Sequence, residues 1–364
     1  MTKTILAIET SCDETAMAVI RSKKTASGWD FEVLSNVVAS QIDIHKKWGG
    51  VYPELASRAH LEAMIPVLAQ TLEPLSKKLN VKNQNVNFQI KNAMREIDAI
   101  AVTEKPGLIG SLLMGIETAQ ILGSMFDKPV INVNHLEGHI YSSFAGVNPN
   151  NQASSSEQII NHKSQIKIPK TGIFPVLALV VSGGHTSLIL MKDHLKYETV
   201  AQTIDDAAGE AFDKVARIIG LPYPGGPEIE KLAQNSDENA YTLPIGMDRK
   251  SDFSFSGLKT AVLYLTKNPT TGKARKYNKA DLAASFQKVV ADTLIQKTKI
   301  ALDKYEPKTL ILTGGVSANS YIRDRFTHEF SKRANLLIPP IPLSTDNAVG
   351  IGVAGIIKLP KERL

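Results

Sequence analysis

Short apolar runs alternate with longer periodic segments along this chain, and this pattern predicts an α/β fold. Residues 4–9 and 16–20 are β-rich runs joined by a short polar stretch, which predicts a hairpin with a polar tip. The same arrangement returns at 176–190, where the polar tip contains Ser182. Two such hairpins indicate two lobes of related design.

Helices are predicted between the strands. One helix runs from Pro53 towards Lys78, with Pro66 as a kink, and the polar residues 80–94 are expected to form a loop or insertion. Residues 107–126 are predicted to form a buried helix, because polar residues near their middle argue against a membrane span. Further strands are predicted at 98–103, 129–133 and 309–312, and further helices at 207–219, 280–303 and 347–357.

A polar stretch marks the predicted boundary between the lobes. Residues 148–170 contain few apolar side chains and are the best linker candidate. We therefore predict an N-terminal lobe of residues 1–145 plus the C-terminal helix at about 347–364, and a C-terminal lobe of residues 146–346.

Composition narrows the class of protein. A chain of 364 residues with 43% hydrophobic residues can form two domains with sizeable cores. The single cysteine, Cys12, excludes an internal disulfide and favours a reducing compartment. The first residues resemble neither a signal peptide nor a transit peptide, so we expect a soluble cytoplasmic protein without a membrane partner. The net charge of +6 permits a nucleic-acid partner without requiring one.

Two histidines form the candidate metal site. His135 and His139 lie at positions i and i+4, so both imidazoles project from one face of a helix. Asp346, at the start of the C-terminal helix, is a candidate third ligand. Two histidines and a carboxylate suit zinc, iron or manganese, and a structural histidine pair without metal is the alternative.

The position of Glu137 argues against a metallopeptidase. In the zinc-protease helix the catalytic glutamate directly follows the first histidine and activates the metal-bound water. Here Glu137 is two residues from each histidine, about 200° around the helix, and is expected to point away from the metal. A peptidase would therefore lack its base.

Two glycine-rich turns are candidates for phosphate binding. Residues 182–184 lie between two strands, where glycines let backbone N–H groups approach a phosphate. Residues 313–319 follow a strand and open a helix, an arrangement that places a helix N-terminus against an anion. Asp213, Gly226 and Glu230 are candidates for ribose and base contacts. Ordinary turns and helix surface are the alternative interpretations.

Nine motifs occur in order, and together they resemble the TsaD family of tRNA threonylcarbamoyladenosine synthases, also known as O-sialoglycoprotein endopeptidases. The resemblance covers nearly the whole chain. The endopeptidase name is a former one, given on the strength of the histidine pair. The motifs are Ile8–Thr15, Gly49–Arg58, His135–His139, Val181–Thr186, Asp205–Lys214, Tyr223–Pro227, Asp252–Lys259, Gly314–Asn319 and Ser344–Asn347.

The resemblance implies a fold and a reaction. The fold is the two-lobed α/β fold of actin, sugar kinases and heat-shock ATPases, with duplicated RNase H-like domains and a ligand cleft. The reaction transfers a threonylcarbamoyl group from threonylcarbamoyl-AMP to the exocyclic amine of the adenosine 3′-adjacent to the anticodon. The tRNAs concerned read codons beginning with A.

The resemblance also implies roles for residues at matching positions. His135, His139 and Asp346 would be the metal ligands. Asp13, Glu14 and His185 are candidate catalytic residues, with purely structural roles as the alternative. The residues that would hold the adenylate are Val180, Val181, Ser182, Gly183, Gly184, Asp213, Gly226, Glu230 and Asn319.

Cofactors and partners follow from the same resemblance. It implies one divalent metal, iron by family resemblance with zinc as the alternative, and ATP or ADP as a further ligand. It implies tRNA, a TsaB-like paralogue and a TsaE-like ATPase as partners, and a TsaC/Sua-type enzyme as the source of the donor. A homodimer is the alternative assembly in the absence of the paralogue. A glycoprotein endopeptidase, a kinase or ATPase of the same superfamily, and a non-enzymatic scaffold are the competing hypotheses.

Overall fold

The computed structural model describes residues 2–78, 85–146, 165–245 and 252–359. The chain divides into two compact units. Unit 1 comprises Met1–Ile44, Val51–Gly172 and Pro339–Leu364, and unit 2 comprises His45–Gly50 and Ile173–Ile338.

Eleven strands and twelve α-helices lie in the described residues. The strands are β1 (Thr2–Glu9), β2 (Glu14–Lys24), β3 (Gly28–Ser40), β4 (Ala99–Lys105), β5 (Val130–Asn134), β6 (Gln165–Pro169), β7 (Val176–Val181), β8 (Thr186–Asp193), β9 (Lys196–Gln202), β10 (Thr309–Thr313) and β11 (Asn335–Leu337). The helices are α1 (Ile42–His45), α2 (Pro53–Lys78), α3 (Val86–Ala93), α4 (Ile109–Phe126), α5 (His135–Ser142), α6 (Ala208–Ile218), α7 (Gly225–Ala233), α8 (Ser256–Thr266), α9 (Lys279–Tyr305), α10 (Ser320–Phe330), α11 (Ile341–Ser344) and α12 (Ala348–Lys358).

Unit 1 is built on a mixed six-stranded sheet of order β5-β4-β1-β2-β3-β6. β1 to β3 form an antiparallel meander, and β4 and β5 continue the sheet in parallel beyond β1. Leu6 and Ile8 pack in a core with α2, α3 and α4, while Ala7 on the other face of β1 meets α12 at Gly352. β1 is therefore covered on both faces, which explains its continuous apolar run.

Unit 2 repeats this plan. Its five-stranded sheet has the order β11-β10-β7-β8-β9, with an antiparallel meander of β7 to β9 and two further parallel strands. Val181 at the end of β7, Phe212 of α6 and Phe286 of α9 belong to one buried core. The first five strands of the first sheet, β5-β4-β1-β2-β3, have the same order as the whole second sheet, and this match confirms the prediction of two lobes of related design.

Most predicted elements are confirmed, and two local predictions are wrong. The segment 80–94 is not a loop throughout: residues 79–84 lie outside the described residues, and α3 follows, because Asn85 caps its first turn and Ile90 buries itself against α2. The helix at 107–126 forms as α4, but only about a third of it is buried. Its inner face packs on unit 1, whereas its outer face presents apolar side chains to solvent.

The end of the polar stretch 148–170 belongs to the first sheet. Its residues 148–164 lie outside the described residues, and β6 pairs antiparallel with β3. Exposed and buried side chains alternate along β6, with Ile166 and Ile168 facing the core, so it is an amphipathic edge strand of unit 1. The predicted lobe boundary at 145/146 stays a prediction, but this strand, which it assigned to the second lobe, pairs within unit 1.

Candidate functional site

The histidine helix α5 begins at a well-formed cap. The Asn134 side chain accepts a hydrogen bond of 2.8 Å from the backbone N–H of Leu136, and the backbone N–H of Asn134 donates to Glu137 Oε2 at 3.2 Å. This reciprocal capping box starts the helix at His135. His135 and His139 therefore stand one turn apart on the same face.

Asp346 reaches the histidines because α12 packs closely against α5. A Cβ built on Gly350 would lie 1.8 Å from the backbone oxygen of Gly138, so only glycine permits this approach. Asn347 caps α12 by accepting a hydrogen bond of 3.0 Å from the backbone N–H of Val349. Asp346 precedes this cap, in the turn that faces α5.

The three side chains converge as the sequence predicts. Asp346 Oδ1 lies 3.3 Å from His139 Nε2 and 3.6 Å from His135 Nε2, and the three ligand atoms lie within 4.8 Å of one another. Both histidines are buried, and the Asp346 side chain is partly buried. Nitrogen and oxygen ligands about 2.0–2.2 Å from one ion are separated by such distances, so the donor set fits a divalent metal.

Glu9 is a site residue whose role the sequence analysis missed. Its Oε2 lies 3.0 Å from His135 Nδ1, and Thr103 Oγ1 donates to the same oxygen at 2.6 Å. A carboxylate on one imidazole nitrogen fixes the tautomer and leaves the other nitrogen free to face a metal. The signal was present in the sequence, since Glu9 is the first charged residue after the apolar run of β1.

Electrostatics in this cluster couple Glu9 to His135. Burial lowers the pKa of the His135 ring, but the negative charges of Glu9 and Asp346 outweigh burial and raise the pKa of His135 to about 9. Burial raises the pKa of Glu9, while the charge and hydrogen bond of His135 outweigh that effect and lower it. The two groups therefore favour an ion pair.

Glu137 is engaged away from the metal ligands. Besides its place in the capping box, its Oε2 lies 2.7 Å from Lys358 Nζ on α12, and the side chain is buried. A glutamate held by a backbone N–H and a lysine is a structural group. The predicted absence of a peptidase base is consistent with this geometry.

Asp13 ends the loop between β1 and β2, and Glu14 is the first residue of β2. Buried His60 of α2 holds this loop, with Nδ1 2.8 Å from Thr15 Oγ1 and Nε2 3.0 Å from the backbone oxygen of Cys12. Burial, followed by the charges of Asp346 and Asp13, keeps the pKa of Glu14 well above its usual range. Both acidic candidates therefore lie in the unit that carries the metal ligands.

The predicted phosphate loop lies in unit 2, at the end of β7. The backbone N–H of Ser182 donates to the backbone oxygen of His185 at 2.7 Å, and Ser182 Oγ accepts from the backbone N–H of His185 at 3.1 Å. These bonds form a tight turn that projects Gly183 and Gly184. His185 lies at the closing end of this turn, in unit 2, whereas Asp13 and Glu14 belong to unit 1.

Glycines bring three segments of unit 2 together. A Cβ on Gly209 would lie 2.6 Å from the backbone oxygen of Ser182, and a Cβ on Gly314 would lie 2.5 Å from that of Val181. The glycine-rich turn after β10 and the start of α6 therefore both contact the Ser182 loop. By contrast, a Cβ at Gly183, Gly184, Gly226 or Gly315 would meet no atom within 4 Å. These four glycines adjoin open space where a ligand can approach the backbone.

Asp213, Glu230 and Asn319 hold the surrounding turns of unit 2. Asp213 Oδ1 accepts a hydrogen bond of 2.7 Å from the backbone N–H of Gly225, and Glu230 Oε1 accepts one of 2.8 Å from that of Ser320. Asn319 caps α10 through the N–H of Ile322 and donates to Gln287 Oε1 at 2.8 Å. All three lie beside the glycine-rich turns and have defined structural partners.

Comparisons with known proteins point to one enzyme family. The family profile of TsaD, tRNA N6-adenosine threonylcarbamoyltransferase, matches residues 32–153 and 157–353. An enzyme of that name from Bacillus subtilis is 42% identical, over 98% of this chain and 91% of the relative. Its counterpart from Dictyoglomus turgidum is 43% identical, over 96% of this chain and 92% of the relative.

A solved structure is similar in fold alone. HypF, in a phosphate- and nucleotide-bound form, superposes with a TM-score of 0.55 at 13% sequence identity. The match covers 99% of this chain and 47% of HypF, so this chain corresponds to about half of that protein.

Proposed function

The chain belongs to the TsaD family of tRNA N6-adenosine threonylcarbamoyltransferases, and from that premise we propose how its residues carry out the reaction. The protein is an acyltransferase of tRNA threonylcarbamoyladenosine synthesis. Its donor in this proposal is threonylcarbamoyl-AMP. The acceptor is the exocyclic amine of the adenosine 3′-adjacent to the anticodon, in tRNAs that read codons beginning with A.

The reaction is an acyl transfer with a good leaving group. The amine nitrogen bonds to the carbamoyl carbon, the bond from that carbon to the phosphate oxygen breaks, and AMP leaves with the electron pair. The nitrogen loses one proton. Because an aniline-like amine is a weak nucleophile, positioning and a proton acceptor are needed. Asp13, Glu14 and His185 are our candidates for groups near the reacting centre.

Unit 2 binds the donor in this proposal. Backbone N–H groups of the Ser182 loop hold the phosphate at Gly183 and Gly184, and the open space at Gly183, Gly184 and Gly226 supports close approach of a ligand. Val180 and Val181 form the strand end that carries this loop. The nucleoside part of the donor binds at the turns that Asp213, Glu230 and Asn319 hold together. ATP or ADP would use the same loops.

Unit 1 supplies the metal site. The family is metal-dependent, and His135, His139 and Asp346 would hold one divalent ion, for which we propose iron with zinc as the alternative. A bound ion of this kind supplies Lewis-acid stabilisation of negative charge that develops in acyl transfer. Glu9 Oε2 orients His135 by accepting a hydrogen bond from its Nδ1–H group.

An apolar face on unit 1 supports pairing with a TsaB-like paralogue. α2 and α4 pack on each other, and each presents apolar side chains to solvent at helical spacing. We define the α2/α4 face by its exposed residues Leu61, Ile65, Ile109, Leu113, Ile121 and Met125. Such a stripe of apolar side chains is typical of a protein interface. A second copy of this chain is the competing occupant.

The remaining partners in this proposal are those that family membership implies. A TsaC/Sua-type enzyme would make the adenylate, and a TsaE-like ATPase would complete the assembly. A tRNA substrate and a single cysteine support a cytoplasmic location.

The convergence of His135, His139 and Asp346 is the observation on which the proposed mechanism rests. The test is mass analysis of tRNA nucleosides from cells depleted of this protein and rescued with variants. Wild type should restore threonylcarbamoyladenosine, and the double variant His135→Ala with His139→Ala should not.

Glu137→Gln is the matched control on the same helix. It keeps a side chain that can accept the cap hydrogen bond, so modification should persist, whereas a peptidase that used Glu137 as its base would lose activity. Full modification by the double histidine variant would contradict the role of the metal site. Normal modification without the protein would contradict the transferase activity itself.

A further inference from the structure

Trp48 is unusually exposed. Its side chain is 63% accessible, more than any other aromatic residue in the described part of the chain. Large aromatic side chains are mostly buried in folded proteins, since each hides a large apolar area. An indole with most of its surface exposed is therefore a candidate for contact with a binding partner.

The backbone around Trp48 is held in a defined turn. Lys46–Trp48 form a short 3-10 helix that ends at Gly49, whose φ of 65° is left-handed. Gly49 donates its N–H to the backbone oxygen of Lys46 and accepts a hydrogen bond from Arg217 of α6. All of these residues belong to unit 2. The indole is thus presented from a fixed backbone, which lowers the entropy that binding would cost.

The surroundings of Trp48 favour nucleic acid over protein. Lys46 and Lys47 directly precede it and are exposed, and Trp48 is the one apolar side chain among residues 46–50. Protein interfaces are depleted in lysine, particularly at their centres. An exposed aromatic ring beside basic side chains is instead typical of surfaces that bind single-stranded nucleic acid, where bases stack on the ring and phosphates contact the cations.

We propose that Trp48 is a stacking platform for an unpaired base of the tRNA substrate, and that Lys46 and Lys47 bind the neighbouring phosphates. This inference rests on the tRNA-modifying function, because the target adenosine lies in the anticodon loop, where bases are unpaired. It adds residues of unit 2 that belong neither to the glycine-rich turns nor to the metal ligands.

The first test measures tRNA recognition by the active enzyme, assembled with its metal and protein partners. Trp48→Ala should raise the KM for tRNA about tenfold with little change in kcat, because stacking on one aromatic ring contributes about that much. Trp48→Phe should keep most of the affinity, whereas Trp48→Leu should behave like alanine. Tyr264→Ala, which removes another exposed aromatic ring of unit 2, is the matched control.

The second test observes stacking directly and needs no turnover. The chain has two tryptophans, so Trp29→Phe leaves Trp48 as the sole indole fluorophore. An anticodon stem-loop oligonucleotide should quench its emission, and a fully paired duplex should quench it much less. Lys46→Gln and Lys47→Gln should each reduce the slope of log affinity against log salt by about 0.7, the value for one single-strand phosphate contact.

Three results would overturn the proposal. One is an unchanged KM for tRNA in Trp48→Ala when the wild-type enzyme is active, which would leave the transferase function intact. Another is emission that the stem-loop does not quench. The third is a Trp48→Ala subunit that binds stem-loop RNA normally but no longer joins its protein partners, which would make Trp48 a protein contact.

Discussion

Glu9 and His135 are joined through Oε2 and Nδ1 at 3.0 Å, and both side chains are almost completely buried. With the Glu9 carboxylate ionised, Nδ1 carries the proton and Nε2 faces Asp346. This pair links the end of β1 to the first residue of α5. The hydrogen bond orients His135 as a metal ligand. It also offsets the free-energy cost of burying the Glu9 carboxylate.

Removal of the Glu9 charge should weaken metal binding. In Glu9→Gln the His135 ring loses its charged partner, and we expect metal affinity to fall about 10- to 100-fold. A titration against a competing chelator measures this. Asp98→Asn is the control, because Asp98 bonds to Thr4 at the opposite end of β1. Equal affinities of Glu9→Gln and wild type would remove Glu9 from the metal site.

The close approach of α5 and α12 predicts that alanine lowers the unfolding free energy more at Gly350 than at Gly138. Gly350→Ala would place a Cβ against the backbone of Gly138, so we expect a loss of about 1–3 kcal/mol in unfolding free energy and weaker metal binding. In Gly138→Ala the nearest atom to the new Cβ is Cδ1 of the flexible Ile351 side chain, at 2.6 Å, and the nearest backbone atom is 3.5 Å away, so this variant should cost less. Urea unfolding of both variants checks the order. The reverse order would mean that the helices separate easily.

The open space at Gly183 predicts that a variant there loses affinity for AMP without losing stability. Gly183→Ala adds a Cβ where no atom lies within 4 Å, so its thermal midpoint should match that of wild type. Its affinity for AMP, used as a donor fragment, should fall, because the methyl group obstructs the backbone N–H groups. Gly257→Ala, also open, is the control and should change neither quantity. Normal AMP binding by Gly183→Ala would place the donor elsewhere.

Asp205 predicts a pH-dependent contribution to stability. Burial raises the pKa of Asp205, but hydrogen bonds from Ser254, Phe255 and Ser256 outweigh it and lower the pKa. A carboxyl with a lowered folded pKa stabilises the fold above its unfolded pKa, about 3.9, and this contribution disappears as pH falls through the folded pKa.

Asp205→Ala should therefore destabilise the protein at neutral pH by about 1 kcal/mol, a modest value because the carboxylate is exposed and screened. The difference from wild type should shrink below about pH 4. Urea unfolding as a function of pH measures it. A difference that stays constant with pH would show that the charge of Asp205 contributes nothing.

The α2/α4 face predicts a paralogue-binding defect. Leu113→Glu combined with Ile121→Glu places two charges in this face, so the affinity for the TsaB-like partner should fall by more than about tenfold. Size-exclusion chromatography and binding titration measure the loss. Ile300→Glu, at an exposed apolar position on α9, is the control. If the double variant still binds the TsaB-like partner but no longer forms a homodimer, a second copy of this chain occupies the face.

Local patterns determined the elements and the chemical identity of the candidate ligands. Apolar runs located both hairpins, and the i, i+4 spacing of His135 and His139 was sufficient to place them on one face, because helix geometry follows from local sequence. The same local logic failed for α3. There, a polar segment becomes helical because Asn85 caps it and Ile90 finds a surface on α2.

Only the tertiary structure decided which distant residues meet. Asp346 lies more than two hundred positions from His135, and the contact depends on Gly138 and Gly350 allowing α5 and α12 to touch. Glu9 became a site residue because β1 ends beside α5. Only about a third of α4 is buried, because a single face of the helix packs on the rest of unit 1. Short-range periodicity specifies which face of an element is apolar. It does not specify the surface against which that face packs, since this depends on the close-packed arrangement of all elements.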